Sequence, residues 1–186
     1  MEWASREGAL ELLREFTTNE HLIKHAFAVE AAMRAYAKKF NQNAEKWGVT
    51  GLLHDFDYER FPTPEEHPFK GVKILKEKGY PQEMMRAILA HGDHTGIPRE
   101  TLLEKTLYAV DELTGFIVAV SLVRPSKKIS EVTVKSLMKK WKDKAFARGV
   151  NRENIEKGAK DLGIELKEHI ECVLRAMQNI SDELGL

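Results

Sequence analysis

The sequence has a single cysteine among its 186 residues, which excludes an internal disulfide. Cys172 falls within the helical segment ELKEHIECVLRAMQ, and we interpret it as a buried structural thiol rather than a nucleophile. The sequence also lacks a long apolar run and any Ser/Gly/Pro-rich tract, so it predicts neither a membrane span nor a long disordered segment. The composition is that of a protein that folds around a core.

Net charge of either sign is absent too, because Lys plus Arg and Asp plus Glu number 29 each. No net field would draw the whole chain to a nucleic-acid polymer or a membrane, and we expect neither as a partner. The N-terminal segment MEWASREGALELL is acidic and amphipathic and lacks the basic-then-apolar order of a signal peptide, which predicts a cytoplasmic location. At this length we expect residues 1–186 to form one domain.

Apolar residues recur at three- and four-residue spacing in nearly every segment, and no convincing alternation of period two appears. This pattern predicts an all-α fold of about eight or nine helices. Thr17 followed by Glu20 predicts the start of the second helix as a capping box, and Pro98 predicts the start of a long, largely buried helix. The expected helices cover residues 4–16, 19–40, 44–54, 68–78, 81–91, 98–123, 132–142, 151–162 and 165–184.

Five of the seven histidines and two aspartates lie at predicted helix ends and turns between His25 and Asp111. Imidazole and carboxylate together bind divalent transition metals, and a carboxylate can bridge two ions whereas one imidazole nitrogen serves only one. His54 and Asp55 would diverge by about 100° in a regular helix, but at a last helical turn before a loop both can approach one ion. The pattern predicts a metal site.

These residues resemble a known signature. His25, then His54-Asp55 within GLLHDFD, then Asp111 within AVDELTG resemble the H…HD…D pattern of the HD superfamily of metal-dependent phosphohydrolases. The segments HPFKGVKIL and ILAHGDHTGIP resemble elements of its HD-GYP and diadenosine-tetraphosphatase-like branches. The resemblance covers about residues 20–120 and implies an all-α HD-domain helical bundle, with a core at about 18–123 and additional C-terminal helices at about 124–186.

The resemblance also implies six ligands and two divalent transition-metal ions. One ion would be held by His25, His54, Asp55 and Asp111, and the other by Asp55, His67 and His91, so that Asp55 bridges them. Iron or manganese is the first expectation, with zinc, nickel, cobalt or magnesium as alternatives. The implied activity is hydrolysis of a phosphomonoester or phosphoanhydride of a small, nucleotide-like molecule by a metal-bridged hydroxide, in a monomer or homodimer.

Two alternatives stay open at this point. HD folds with the same six-ligand pattern also house mixed-valent di-iron oxygenases, and a catalytically silent metal- or nucleotide-binding regulatory module would carry the same ligands. Cleavage of cyclic-di-GMP is disfavoured, because HGDHTGIP replaces the paired-histidine-glutamate and Gly-Tyr-Pro strings of those enzymes. The sequence also lacks a recognisable ppGpp synthetase half, so hydrolysis of ppGpp would require a stand-alone hydrolase.

Carboxylates close to the motif are candidates for catalysis. We predict catalytic roles for Asp55 and for Asp57, which follows the motif and would orient a water or protonate the leaving group. The alternative for Asp57 and for Glu59 is a turn hydrogen bond.

Further side chains are candidates for binding the substrate. His94 would contact substrate or support His91. The basic residues of the segment RPSKK, which are Arg124, Lys127 and Lys128, suit a phosphate group, although charge runs are usually solvated. We interpret His21 and His169 as exposed.

Overall fold

The computed structural model describes residues 3–186, and in that part of the chain it is all-α, with ten α-helices and no β-strand. The predicted fold class is confirmed. The helices are α1 Arg6–Phe16, α2 Glu20–Lys39, α3 Ala44–Leu53, α4 Phe69–Glu77, α5 Gln82–Ala90, α6 Leu102–Leu122, α7 Val134–Trp141, α8 Arg152–Asp161, α9 Leu166–Gln178 and α10 Ser181–Leu184. Two single 3₁₀ turns, Asp93–Thr95 and Ile129–Glu131, connect them.

The two longest helices, α2 and α6, lie at the centre of the fold. Helix α2 packs against α3, α6 and α9, and its buried residues contribute to two apolar clusters, one shared with α6 to α10 and one with α1, α3, α4 and α5. The crossing of α2 and α3 is close at Gly51, where an added Cβ would lie 2.9 Å from Met33 Cγ and 3.0 Å from the carbonyl of Val29. This close approach packs the end of α3 against the middle of α2.

The C-terminal helices pack on the central ones. At the contact of α8 with α6, a Cβ on Gly158 would lie only 2.6 Å from Ala109 Cα. The ring of Phe116 on α6 is edge-on to Trp141 and Phe146, at centroid distances of 5.2 and 5.9 Å. The C-terminal segment therefore shares an apolar core with α2 and α6. Over residues 3–186, no helix has the combination of length and apolarity that crossing a bilayer requires.

The predicted cap of α2 and the predicted start of α6 are wrong, although α2 itself begins within one residue of its predicted start. Helix α2 is capped by Asn19, whose side chain accepts the backbone N–H of His21, while the Thr17 hydroxyl donates to the carbonyl of Phe56. Helix α6 starts at Leu102, four residues after Pro98, because a capping box formed by Thr101 and Glu104 satisfies its first amides.

The predicted C-terminal helix over 165–184 is interrupted. Helix α9 ends at Gln178, and a separate turn of helix, α10, begins at Ser181. Between them Ile180 has ψ 26°, and its backbone N–H donates to the carbonyl of Met177, which closes the last turn of α9. The prediction of one continuous helix was therefore wrong.

The prediction that His169 is exposed is also wrong. Its side chain is fully buried between α9, α2 and α6. Nε2–H donates to the carbonyl of Ala109 at 2.8 Å, and Nδ1 accepts the hydroxyl of Tyr36 at 2.6 Å. Burial lowers the pKa of His169 to about 4, so the ring is neutral at neutral pH. Cys172, one turn further along α9, is partly buried, and burial raises the pKa of its thiol.

Candidate metal centre

Six side chains from five parts of the chain converge at one point of the fold. His25 lies in the second turn of α2, and Asp111 lies midway along α6. His54 and His91 are the C-cap residues of α3 and α5. The remaining two, Asp55 and His67, lie in the turns between α3 and α4. The structure thus brings together all six residues that the sequence predicts as metal ligands.

The first group of potential ligands is formed by His25, His54 and Asp55. The Nε2 atoms of the two histidines lie 3.2 Å apart. Asp55 Oδ2 lies 3.4 Å from His54 Nε2 and 3.9 Å from His25 Nε2. On the other side, Asp111 Oδ1 lies 3.0 Å from His25 Nε2 and 3.6 Å from His54 Nε2. Two carboxylates therefore flank this histidine pair.

The second group is formed by Asp55, His67 and His91. Asp55 Oδ1 lies 3.2 Å from Nε2 of each histidine. This oxygen is buried and accepts no hydrogen bond from the described residues. A buried carboxylate oxygen without a donor is costly unless a cation or a proton compensates it. Asp55 belongs to both groups, with one oxygen facing each.

His54 and His91 are oriented in the same way. Each ring turns back on its own helix, so that Nδ1 meets the carbonyl three residues earlier, Gly51 at 2.8 Å and Ile88 at 2.5 Å. A carbonyl only accepts, so Nδ1 carries the proton in both rings. These bonds satisfy carbonyls left free at the helix ends, and they direct Nε2 of each ring into the centre.

The other two histidines have equivalent supports. The Thr114 hydroxyl donates to the carbonyl of Asp111 at 2.8 Å, so its oxygen is free to accept Nδ1–H of His25 at 3.3 Å. Nδ1–H of His67 donates to Asp57 Oδ1 at 2.8 Å. All four rings therefore present Nε2 to the centre. Sequence reasoning missed Thr114, although its position one turn after Asp111 on the same helix was a usable signal.

The electrostatics favour a cation. Burial of the His67 ring opposes its protonation, but Asp55 and Asp57 outweigh burial and raise the pKa of His67 to about 9. Burial likewise opposes protonation of His54, yet Asp55 and Asp111 hold its pKa well above the ordinary value. Burial favours the neutral acid in Asp55 and Asp111, but the facing histidines lower the pKa of both carboxyls. The carboxylates stay ionised, and the centre attracts positive charge.

The donor set fits a divalent transition metal. Imidazole nitrogens and carboxylate oxygens are the ligand types that such ions take in proteins, and the centre offers four of the former and two carboxylates. Asp55 Oδ1, which has no hydrogen-bond donor within residues 3–186, lies where it could bind an ion held by His67 and His91. His54 is fully buried, whereas the side chains of His25, Asp55 and Asp111 keep 23%, 22% and 23% exposure. The centre is therefore open to solvent on the side of these three residues.

The predicted catalytic role of Asp57 is not what the geometry supports. Asp57 is fully buried, and its two oxygens accept from His67 Nδ1–H and from the backbone N–H of Gly71, both at 2.8 Å. With both oxygens engaged inside the protein, this carboxylate cannot reach a water or a leaving group. Asp57 instead positions His67. Glu59 is also structural, since it accepts from the backbone amides of Thr18 and Asn19 ahead of α2.

His94, predicted to contact substrate or to support His91, lies beside the centre. Its ring is exposed, and Nε2 is 2.9 Å from the carbonyl of His67. The ring also covers Gly92, where an added Cβ would lie 2.6 Å from it. His94 thus contacts the backbone of a ligand residue rather than His91 itself. His21, one turn before His25, is exposed as expected.

The structure does not bring the RPSKK segment to the centre. Arg124, Lys127 and Lys128 follow the last residue of α6, and the eleven residue steps from Asp111 to Leu122 span about 17 Å of helix. Arg124 lies 3.9 Å from Glu131, and Lys127 and Lys128 are exposed. The predicted contact of these cations with a phosphate at the metal centre has no support in this geometry.

A comparison with known protein families finds one that covers this centre. The family model described as HD domain matches residues 22–115, about half of the chain. The matched region runs from α2 to α6 and contains all six converging side chains. No curated protein and no solved structure matches the chain.

Proposed function

The chain belongs to the HD domain family, and we propose that it is a phosphohydrolase that uses two divalent metal ions. The observation that carries the proposal is the position of Asp55 between two ligand groups. Its Oδ2 faces His25 and His54, and its Oδ1 faces His67 and His91. A carboxylate shared in this way suits two ions held close together.

Bound divalent cations would supply the electrophile for the phosphoryl oxygens and lower the pKa of a water molecule toward neutrality. The residues of the chain would hold the ions, and their side chains are oriented for this by hydrogen bonds. His54 and His91 are fixed by bonds to their own helices, and His67 is fixed by Asp57, so each Nε2 already points into the centre before an ion displaces its proton. This preorganisation lowers the cost of assembling the site.

The proposed substrate is a phosphomonoester or phosphoanhydride of a small, nucleotide-like molecule. It would approach from the solvent-open side formed by His25, Asp55 and Asp111. His94 is exposed next to His67 and is the side chain we assign to contact the substrate there. A water on the open side would attack phosphorus, and no nucleophile of the protein is needed.

A metal-dependent phosphate-release screen tests the proposal. Nucleoside mono-, di- and triphosphates, dinucleoside polyphosphates and a chromogenic phosphomonoester would be offered with Mn²⁺ or Fe²⁺. We expect hydrolysis of at least one substrate that stops when the cation is chelated. Asp55→Asn should reduce it to background, because the bridging carboxylate is lost at constant side-chain volume.

The matched control is Asp161→Asn, which makes the same chemical change at an exposed aspartate on α8. It should keep full activity. Hydrolysis that survives Asp55→Asn would contradict the proposal. Dioxygen consumption by the iron-loaded protein without phosphate release from any substrate would contradict it as well, in favour of oxygenase chemistry.

A further inference from the structure

The balanced charge of the whole chain conceals a strongly basic segment. Between residues 124 and 148 there are nine Lys and Arg residues against only Glu131 and Asp143, a net charge of +7. Since the chain as a whole is neutral, the other residues together carry −7. Net charge per segment, rather than per chain, decides what a local surface attracts.

Helix α7 arranges part of this charge in a row. Lys135, Lys139 and Lys142 follow at spacings of four and three residues, so they lie on one face of the helix or at its end. Along the helix axis the steps are about 6 and 4.5 Å. The opposite face is buried through Leu137 and Trp141. All three lysines are exposed.

The row lies along two adjoining grooves. The first has a volume of 560 Å³ and is lined by Thr133, Lys135, Ser136, Met138, Lys139 and Lys142. The second, of 730 Å³, shares Lys142 and continues past Lys144 and Arg148 to Asn151. We call the five exposed cations the basic face: Lys135, Lys139, Lys142, Lys144 and Arg148.

The charge of the basic face is not neutralised within the protein. Among residues 3–186, none of its five cations forms an ion pair. The one acidic residue within it, Asp143, accepts the backbone amides of Ala145 and Phe146. Glu153 and Glu156 line the far end of the second groove, and Glu156 accepts the indole N–H of Trp141. Closely spaced cations repel one another, and a polyanion would relieve this repulsion.

We propose that the basic face binds the phosphate backbone of a single-stranded nucleic acid. A row of cations along a groove matches the single line of phosphates of one strand. An anionic membrane is the weaker fit, because the first groove has Met138 as its one apolar lining residue. The proposal departs from the expectation of no nucleic-acid partner, which rested on whole-chain charge.

The second groove extends to Asn151, which contacts α6 next to Asp111. The backbone N–H of Asn151, in the second groove, donates to Glu112 Oε2 at 3.2 Å, and Glu112 is adjacent to Asp111. A nucleic-acid strand bound along both grooves would therefore approach α6 at Glu112. The binding proposal itself does not depend on the hydrolase proposal, and its test measures no catalysis.

The test is fluorescence anisotropy of a labelled 20-nucleotide single-stranded DNA with the full chain at 50 to 300 mM salt. Each phosphate contact contributes about 0.7 to the slope of log affinity against log salt concentration for single strands. The triple variant Lys139→Gln/Lys142→Gln/Lys144→Gln should therefore lower the slope by about 2. It should also weaken binding at 50 mM salt at least tenfold.

The matched control removes three exposed lysines from other helices, Lys76→Gln/Lys160→Gln/Lys167→Gln. It should bind within twofold of the unaltered protein. Thermal melting checks that both variants are folded, as expected for exposed positions. Absence of binding at 50 mM salt would overturn the proposal, and so would an equal loss in the control. Binding to phosphatidylserine vesicles but not to the oligonucleotide would overturn it in favour of a membrane surface.

Discussion

Asp57 and His67 form a buried hydrogen bond of 2.8 Å directly behind the metal centre, with His67 Nδ1–H donating to Asp57 Oδ1. The second oxygen of Asp57 accepts the backbone N–H of Gly71, at the start of α4, also at 2.8 Å. One carboxylate thus ties the orientation of a candidate ligand to the position of a helix. Asp57 can support both groups only because each of its two oxygens accepts a hydrogen bond.

Asp57→Asn should weaken metal binding without unfolding the protein. An amide offers one oxygen and one NH₂, so it cannot accept from both His67 and Gly71, and one buried donor loses its partner. Loss of such a support typically costs 10- to 100-fold in metal affinity, about 1.4 to 2.7 kcal/mol. Isothermal titration with Mn²⁺ measures the effect. Glu65→Gln, at an exposed position in the same connection between α3 and α4, serves as the control, and equal affinity in both variants would argue against the assigned role.

Gly71→Ala tests the same support from the other side. An added Cβ would lie 2.6 Å from Asp57 Cγ, so the carboxylate must move away from its two donors. We expect a loss of Mn²⁺ affinity similar to that of Asp57→Asn, with a decrease in melting temperature. Gly115→Ala is the matched control, because nothing lies within 4 Å of its Cβ in α6, and alanine there should stabilise the helix by up to about 1 kcal/mol. A Gly71→Ala protein with unchanged metal affinity would contradict the account.

The buried ring of His169 predicts a loss of stability in acid. Its pKa is about 4 in the folded chain and about 6.5 in the unfolded chain, so between these values the unfolded state binds the additional proton. The free energy of unfolding should therefore decrease as the pH falls from about 6.5 to 4, by about 3 kcal/mol at most from this group. Above pH 6.5 both states are neutral and the contribution is constant.

Urea unfolding of the chelator-treated protein at pH 7, 6 and 5 measures this dependence. His169→Gln should be less stable at pH 7 but should lose less stability on acidification than the unaltered chain. Because the metal-centre histidines are common to both proteins, the difference between the two curves isolates His169. His21→Gln, at an exposed position, should follow the unaltered protein. Parallel curves for His169→Gln and the unaltered chain would show that this ring is not the acid-sensitive group.

The helical fold could be predicted because helical periodicity is a local signal, and the six converging side chains could be predicted because they match the motifs of the HD superfamily. The start of α6 could be predicted too, since Thr101 and Glu104 stand at capping-box spacing, although Pro98 gives a competing start signal. His169 lies three residues after Leu166 and four before Val173, a spacing that assigns it to the buried face of α9. Its charged neighbours favoured the wrong interpretation.

Other features depend on contacts that no local pattern encodes. Tyr36 and Ala109 are 133 and 60 residues away from His169, so the bonds that stabilise its neutral form could not be inferred. The burial of Asp57 follows from the close approach of Gly71 in the folded chain. The separation of the RPSKK segment from the centre follows from the length of α6 beyond Asp111.

The central claim is that Asp55 bridges two metal ions, and the stoichiometry of binding tests it most directly. Equilibrium dialysis against Mn²⁺, followed by elemental analysis, should give two ions per chain. His91→Ala removes a ligand of the second group alone and should reduce this to one, whereas Asp55→Ala should abolish tight binding of both. A single ion in the unaltered protein, or two ions retained by Asp55→Ala, would contradict the account.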